Sequence, residues 1–265
     1  MANELKPRIR HRLDPNTYQE RTFANLGGAI ISRIEVSSIQ DKLESSDRTI
    51  LEVGTGPGRI TRELIKREAQ IVGIDLDERM LRHIACRNRS RRNCDLVVAD
   101  GQVLPFREEV FDVVICIRVM KYLGNPARGL REIGAVLKTE GKLILEFPNL
   151  LGLGGIFQSM QRIVLHETFP RLFKCSSIQR QLREIGLRTI TTNHLFKIPP
   201  VIWIHSRSIK AVRVLGILDS ILQKITHPEV ITKSTILLAK KSPLSQLKKD
   251  EILVKSGPGF GLLNG

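Results

Sequence analysis

The sequence predicts an α/β fold built on a mostly parallel sheet. Three observations carry that prediction. Short apolar runs rich in β-branched residues recur through residues 48–149, and amphipathic segments separate them. Several of these runs end in or just before an acid, at Glu52, Asp75 and Asp100. The first run leads at once into glycines at 54, 56 and 58. A continuous apolar run suits a strand buried on both faces, as a parallel sheet requires.

The elements follow in order. Ile50–Val53 is the first strand, and the glycines after it allow a sharp turn and close approach of backbone to a ligand. A helix is expected to start near Pro57, a residue tolerated in a first helical turn, with unpaired N–H groups facing the loop. Gln70–Asp75 is the second strand, and Asp77 caps the helix behind it. Asp95–Ala99 is the third strand and Val110–Ile117 the fourth. Leu130, Ile133, Val136 and Leu137 recur at helical spacing. Lys138–Gly141 reads as a turn before a fifth strand, Lys142–Phe147. Ser176–Leu187 reads as a helix ending at a glycine C-cap, Gly186. Leu187–Thr192 and Ser234–Lys240 supply two more strands. Upstream, residues 17–45 read as helical, with Phe23, Leu26, Ile30, Ile34 and Leu43 as apolar markers.

The glycine loop marks a site for a nucleotide-like ligand, and its spacing narrows the choice. A dinucleotide fingerprint, G-x-G-x-x-G, would need glycine where Arg59 stands. A P-loop would need Gly-Lys-Ser/Thr, which is absent. Asp75, at the end of the second strand, has two oxygens with which to accept both hydroxyls of a ribose. Asp100 is placed to accept from an exocyclic amine of adenine.

The order of motifs resembles one family. Glu52-x-Gly54-x-Gly56-x-Gly58, Gly73-Ile74-Asp75, Ala99-Asp100-Gly101-Gln102 with Leu104-Pro105-Phe106, and Phe111-Asp112-Val113-Val114 appear in register over residues 48–149. This resembles the small class I S-adenosylmethionine-dependent methyltransferases of ubiquinone and menaquinone biosynthesis, the methyltransferase type 11 domain. The resemblance implies a seven-stranded Rossmann-like sheet, six strands parallel and the seventh antiparallel, with helical lid insertions. It implies S-adenosylmethionine as cofactor. Glu52 and Gly54 would border its methionine end, and Gly56 and Gly58 would complete that loop. Asp75 would hold the ribose with Leu76 beside it, and Asp100 and the Gly101 backbone would hold the adenine. Ile117 would lie under the cofactor at the end of strand four. An N-terminal helix would lie across it, offering Tyr18 or Arg21. The family often carries histidine at the positions of Arg118 or Tyr122, and this chain does not. Arg118, Lys121 and Tyr122 are the nearby candidates for a base, with His166, His194 and His205 as alternatives. No catalytic base and no metal ligand is assigned.

The chain divides into a basic N-terminus (1–16), a methyltransferase domain (17–240, core 48–149) and a tail (241–265) expected to be disordered. Two inserts, at about 150–173 and 196–231, read as a lid over the strand ends, where ligands bind in such folds. They mix large apolar residues, the lone Trp203 among them, with lysine and arginine. That mixture favours a small or lipid-like acceptor.

At 265 residues the chain is long enough for a sizeable core. Its net charge of +15 opens further readings. Basic clusters at Lys6–Arg12 and Arg82–Arg92 suit phosphate neutralisation. An RNA methyltransferase is therefore the rival enzyme, although only 5% of residues are aromatic, which leaves few stacking platforms. Peripheral contact with an anionic membrane is a second partner reading. A non-catalytic binding or assembly subunit is a third, disfavoured by the intact loop and later acids. The four cysteines are scattered without a C-x-x-C pair, so a reducing, cytoplasmic setting is expected. The N-terminus shows no apolar signal segment, and no apolar run approaches a membrane span.

Overall fold

The computed structural model describes residues 14–23, 25–87, 93–150, 171–195, 208–225 and 234–243. Its centre is a seven-stranded sheet: β1 (Thr49–Val53), β2 (Gln70–Asp75), β3 (Cys94–Val98), β4 (Phe111–Cys116), β5 (Leu137–Pro148), β6 (Leu187–Leu195) and β7 (Ser234–Lys241). Their order across the sheet is β3-β2-β1-β4-β5-β7-β6. β7 runs antiparallel to both of its neighbours, and every other pairing is parallel. Six strands thus share one direction and the seventh opposes them.

Alternation along each strand divides the core into two apolar layers. Leu51 and Val53 of β1, Val114 and Cys116 of β4, and Leu143, Leu145 and Phe147 of β5 face one layer. Leu130, Ile133 and Val136 of α5 (Pro126–Val136) and Ile178 and Leu182 of α6 (Cys175–Glu184) close it. Ile50, Ile71, Val113, Ile115 and Ile144 face the other layer. Ile39 of α2 (Leu26–Gln40) and Leu64 of α3 (Thr61–Leu64) close that side. α4 (Glu78–Arg87) lies against β2 and β3. Gly186, with φ +78°, ends α6 as the sequence predicts.

Three local expectations differ from the structure. The helix expected at Pro57 is delayed. Residues 56–60 form turns, and α3 begins only at Thr61, because Gly58 adopts φ +81°, which a right-handed helix excludes. The helical stretch 17–45 is two helices, α1 (Pro15–Phe23) and α2. Asn25 separates them, and its side chain accepts from Gly28 N–H at 2.7 Å as the cap of α2. The buried face of α2 carries Ile31, Glu35 and Ile39, whereas Leu26 and Ile34 are exposed. The turn at Lys138–Gly141 is absorbed into β5 as an irregularity. Pairing with β4 jumps from Phe111–Leu137 to Val113–Lys142, with Glu140 at φ +66° between.

Of the two inserts, residues 151–170, 196–207 and 226–233 lie outside the described residues, as do most of the basic N-terminus and of the tail. From the second insert the structure describes one helix, α7 (Ile209–Ile225).

Candidate functional site

Parallel strands deliver their C-terminal ends to one edge, and a ligand crevice opens there. In this chain the ends of β1, β2 and β4, with the segment after β3, meet at a cavity of about 440 Å³. That size suits a ligand of nucleoside dimensions.

The glycine loop forms one wall. Gly54 and Thr55 N–H both donate to the Ile74 carbonyl, at 2.8 and 3.0 Å, so the loop folds back over the end of β2. Gly54 sits at φ +74°, and a Cβ built there would lie 2.2 Å from Val119 Cγ2. Both backbone conformation and space therefore demand glycine. We expect Gly54→Ala to lose roughly 1–3 kcal/mol in a denaturation experiment. Adding Val119→Ala should restore the part due to the clash and leave the part due to φ.

Asp75 ties the loop to the second strand. Its Oδ2 accepts from Gly56 N–H at 2.8 Å, and its Oδ1 accepts from Asp77 N–H at 2.9 Å. Burial raises its pKa above the ordinary 3.8, and these two backbone donors oppose that rise. Each oxygen keeps a second lone pair for a ligand hydroxyl. Asp77 caps α4 as expected, accepting from Arg79 N–H at 3.0 Å, and binds the Arg79 guanidinium.

The segment after β3 forms the opposite wall. Asp100 Oδ1 accepts from Gln102 N–H at 2.9 Å, and Gln102 Oε1 accepts from Asn125 N–H at 2.6 Å. A Cβ at Gly101 would lie 2.9 Å from Val53 Cγ1, so this backbone packs directly on β1. Ile74, Leu76, Ala99, Ile117 and Leu123 line the middle of the cavity with apolar surface. Leu76 is 45% exposed, an uncovered aliphatic wall beside Asp75.

Seven of the nine residues that the resemblance assigns to the cofactor thus share one cavity, namely Gly54, Gly56, Asp75, Leu76, Asp100, Gly101 and Ile117, and Arg118 and Tyr122 line it with them. Glu52 and Gly58 do not line it. Glu52 points to the other face of the sheet, 2% exposed, and accepts from Thr61 Oγ1 at 2.6 Å. Burial pushes its carboxyl up to about 8, against the Thr61 hydrogen bond and the Arg59 charge. Gly58 packs on α4, where a Cβ would lie 2.6 Å from Ile84 Cγ1. Tyr18 of α1 does reach the cavity. The Arg21 side chain lies outside the described residues.

The end of β4 holds an arrangement that sequence reading missed. Arg118 lines the cavity with φ +63°, its backbone N–H donating to Glu146 Oε2 at 2.7 Å. Glu146 also accepts from Ser234 Oγ. The Arg118 guanidinium meets Glu35 Oε1 at 2.6 Å, and Arg59, just after the glycine loop, meets Glu35 Oε2 at 2.7 Å. Glu35 is 1% exposed. Burial alone would raise its pKa, but Arg118 and Arg59 outweigh burial and hold it below its ordinary range. Burial works against the Arg118 charge in turn, and Glu35 overrides it, raising the guanidinium pKa. The guanidiniums of Arg59 and Arg118 lie 4.6 and 5.3 Å from the Phe23 ring centroid, within cation–π range. One buried carboxylate thus fastens the N-terminal helices to the glycine loop and to the end of β4. The only hint in the sequence is an acid midway between Ile31 and Ile39 at helical spacing.

Among the base candidates, Arg118 is a locked cation. Burial raises the Tyr122 phenol and lowers the Lys121 ammonium, which lies 4.9 Å from the Tyr122 ring. His194 meets Thr235 Oγ1 at 3.2 Å, and His166 and His205 lie outside the described residues.

Residues 51–145 match the family described as Methyltransferase domain. The chain is 29% identical over 144 residues to malonyl-[acyl-carrier protein] O-methyltransferase of Legionella pneumophila, covering 54% of this chain and 49% of that protein. It is 38% identical over 99 residues to demethylmenaquinone methyltransferase of Corynebacterium kroppenstedtii, covering 37% of this chain and 41% of that one. The chain spans about half the length of these curated relatives. In fold it is similar to magnesium protoporphyrin IX methyltransferase of Synechocystis, a structure with bound SAH. The TM-score is 0.60 at 16% identity, over 89% of this chain and 92% of that one.

Proposed function

We infer that this chain, which carries a class I methyltransferase domain over residues 51–145, binds S-adenosylmethionine in the cavity described and methylates a small-molecule acceptor. One observation carries the reading. Asp75 and Asp100 follow adjacent strands and face a single apolar cavity whose third wall is the glycine loop. The donor set fits the cofactor: acceptors for a ribose diol at Asp75, an acceptor for an exocyclic amine at Asp100, and aliphatic walls at Leu76 and Ile117. Gly54 and Gly56 border the methionine end. Glu52 and Gly58 act through the shape of the loop, from behind it.

The bound cofactor supplies an electrophilic methyl group on its sulfonium. The chain's task is then to align the acceptor with that methyl and keep water out. α1 contributes Tyr18 to this enclosure, and the Glu35 ion cluster holds α1 and α2 in place. The apolar cavity floor and the aliphatic residues of the inserts favour a lipid-like acceptor. The four cysteines are free, which suits the reducing, cytoplasmic setting we propose.

Calorimetric titration with S-adenosylhomocysteine tests the cofactor site. Asp75→Ala is expected to weaken binding at least about tenfold, the worth of one charge-assisted hydrogen bond. Unchanged affinity would remove Asp75 from the ribose. Incubation with methyl-labelled cofactor and a cell extract tests the acceptor. Label is expected in the small-molecule or lipid fraction, and label confined to RNA would overturn that class.

A further inference from the structure

α7 is built inside out. Val214, Ile217, Leu218 and Ile221 recur at spacings of three and four, which gathers them on one helix face. They are 54, 56, 46 and 47% exposed. Asp219 points the opposite way and is 6% exposed. Leu215 and Gly216, half-buried, accompany it on the side toward α2. A surface helix ordinarily turns its aliphatic stripe to the core and its charges to water. Here, among the described side chains, Asp219 is buried and Val214, Ile217, Leu218 and Ile221 stand outside. An exposed aliphatic stripe of this kind marks a contact surface.

The charge on that face says which surface. Lys210 and Arg213 lie four residues before Val214 and Ile217, on the same outward side, and both are exposed. Asp219 is the helix's sole acid, and it is inside. A second copy of this chain would bring lysine and arginine against their like. An anionic surface would complement them, on a chain whose net charge is +15.

We propose that the outer face of α7 docks on an anionic phospholipid bilayer. The helix lies in the plane of the interface, with Val214, Ile217, Leu218 and Ile221 entering the acyl boundary and Lys210 and Arg213 at the lipid phosphates. Docking rather than spanning fits the lengths, because no described helix is long and apolar enough to cross a membrane. The surface is separate from the cofactor cavity, and its test does not depend on methyl transfer.

The test is co-sedimentation of the full chain with phosphatidylcholine vesicles containing or lacking phosphatidylglycerol. Wild type is expected to pellet with the anionic vesicles and to be released by salt. The double variant I217S/I221S should partition at least about tenfold less, since each loses several buried methylene equivalents. Lys210→Glu with Arg213→Glu should abolish the preference for phosphatidylglycerol. Calorimetric affinity for S-adenosylhomocysteine should stay unchanged in both variants, which separates docking from the cofactor site. Wild type left in the supernatant would overturn the proposal. So would an I217S/I221S variant that pellets like wild type, or a dimer in sedimentation velocity that this variant abolishes.

Discussion

Glu35→Ala should cost about 3–5 kcal/mol of stability, the expected penalty for breaking a buried ion cluster from one side. The substitution leaves Arg59 and Arg118 facing each other against the Phe23 ring without their shared carboxylate. Chemical denaturation measures the loss directly. Glu35→Gln keeps the shape and one acceptor oxygen, and should fall between wild type and Glu35→Ala. Replacing all three ionic residues together, Glu35→Leu with Arg59→Met and Arg118→Met, should recover much of the lost stability, because no charge is then left unpaired. A Glu35→Ala variant within about 1 kcal/mol of wild type would show the cluster to be as weak as an ordinary surface ion pair. The sign with pH is fixed by the lowered Glu35 pKa. Its contribution is full above the ordinary carboxylate value of 4.5 and fades as pH falls through the lower folded value.

Glu52 acts with the opposite sign. Its carboxyl titrates at about 8 in the folded chain against an ordinary 4.5, so between those values the folded state holds a proton that the unfolded state has released. Stability therefore declines as pH rises through that window. Each factor of ten in proton affinity is worth roughly 1.4 kcal/mol, so the penalty above neutrality reaches several kcal/mol. Glu52→Gln keeps an acceptor for Thr61 Oγ1 and removes the charge. The variant should match wild type near pH 4 and exceed it increasingly toward pH 9. Parallel denaturation curves across that range would refute a buried, protonated Glu52. Affinity for S-adenosylhomocysteine should change little, because Glu52 does not line the cavity.

The two glutamates also show where sequence reading succeeds and where it stops. Strands β1, β2 and β4 are legible because burial on both faces leaves runs that are mostly apolar. Asp75 and Asp100 stand out because acids recur in register at the ends of successive runs, and both line the cavity. Glu52 sits in the same motif, yet period-two alternation puts it with Ile50 on the far face, opposite Leu51 and Val53. That distinction was present in the sequence. The Glu35 cluster was not, because it joins positions 83 residues apart that no local pattern connects. The direction of α2 was hidden for the same reason. Leu26 and Ile34 give it an apolar stripe of their own, and only the two arginines explain why Glu35 turns inward instead.

The cluster also separates two meanings of the word domain. The segment that sequence comparison recognises runs from 51 to 145 and contains Arg59 and Arg118. Their counter-charge lies before that segment, and β6 and β7 lie beyond it. A chain trimmed to those boundaries would expose the edge of β5 that β7 covers and strand two guanidiniums with no anion between them. The folded sheet therefore extends beyond the segment that matches the family. Grafting this fold's pocket onto another scaffold would require carrying residue 35 along with it.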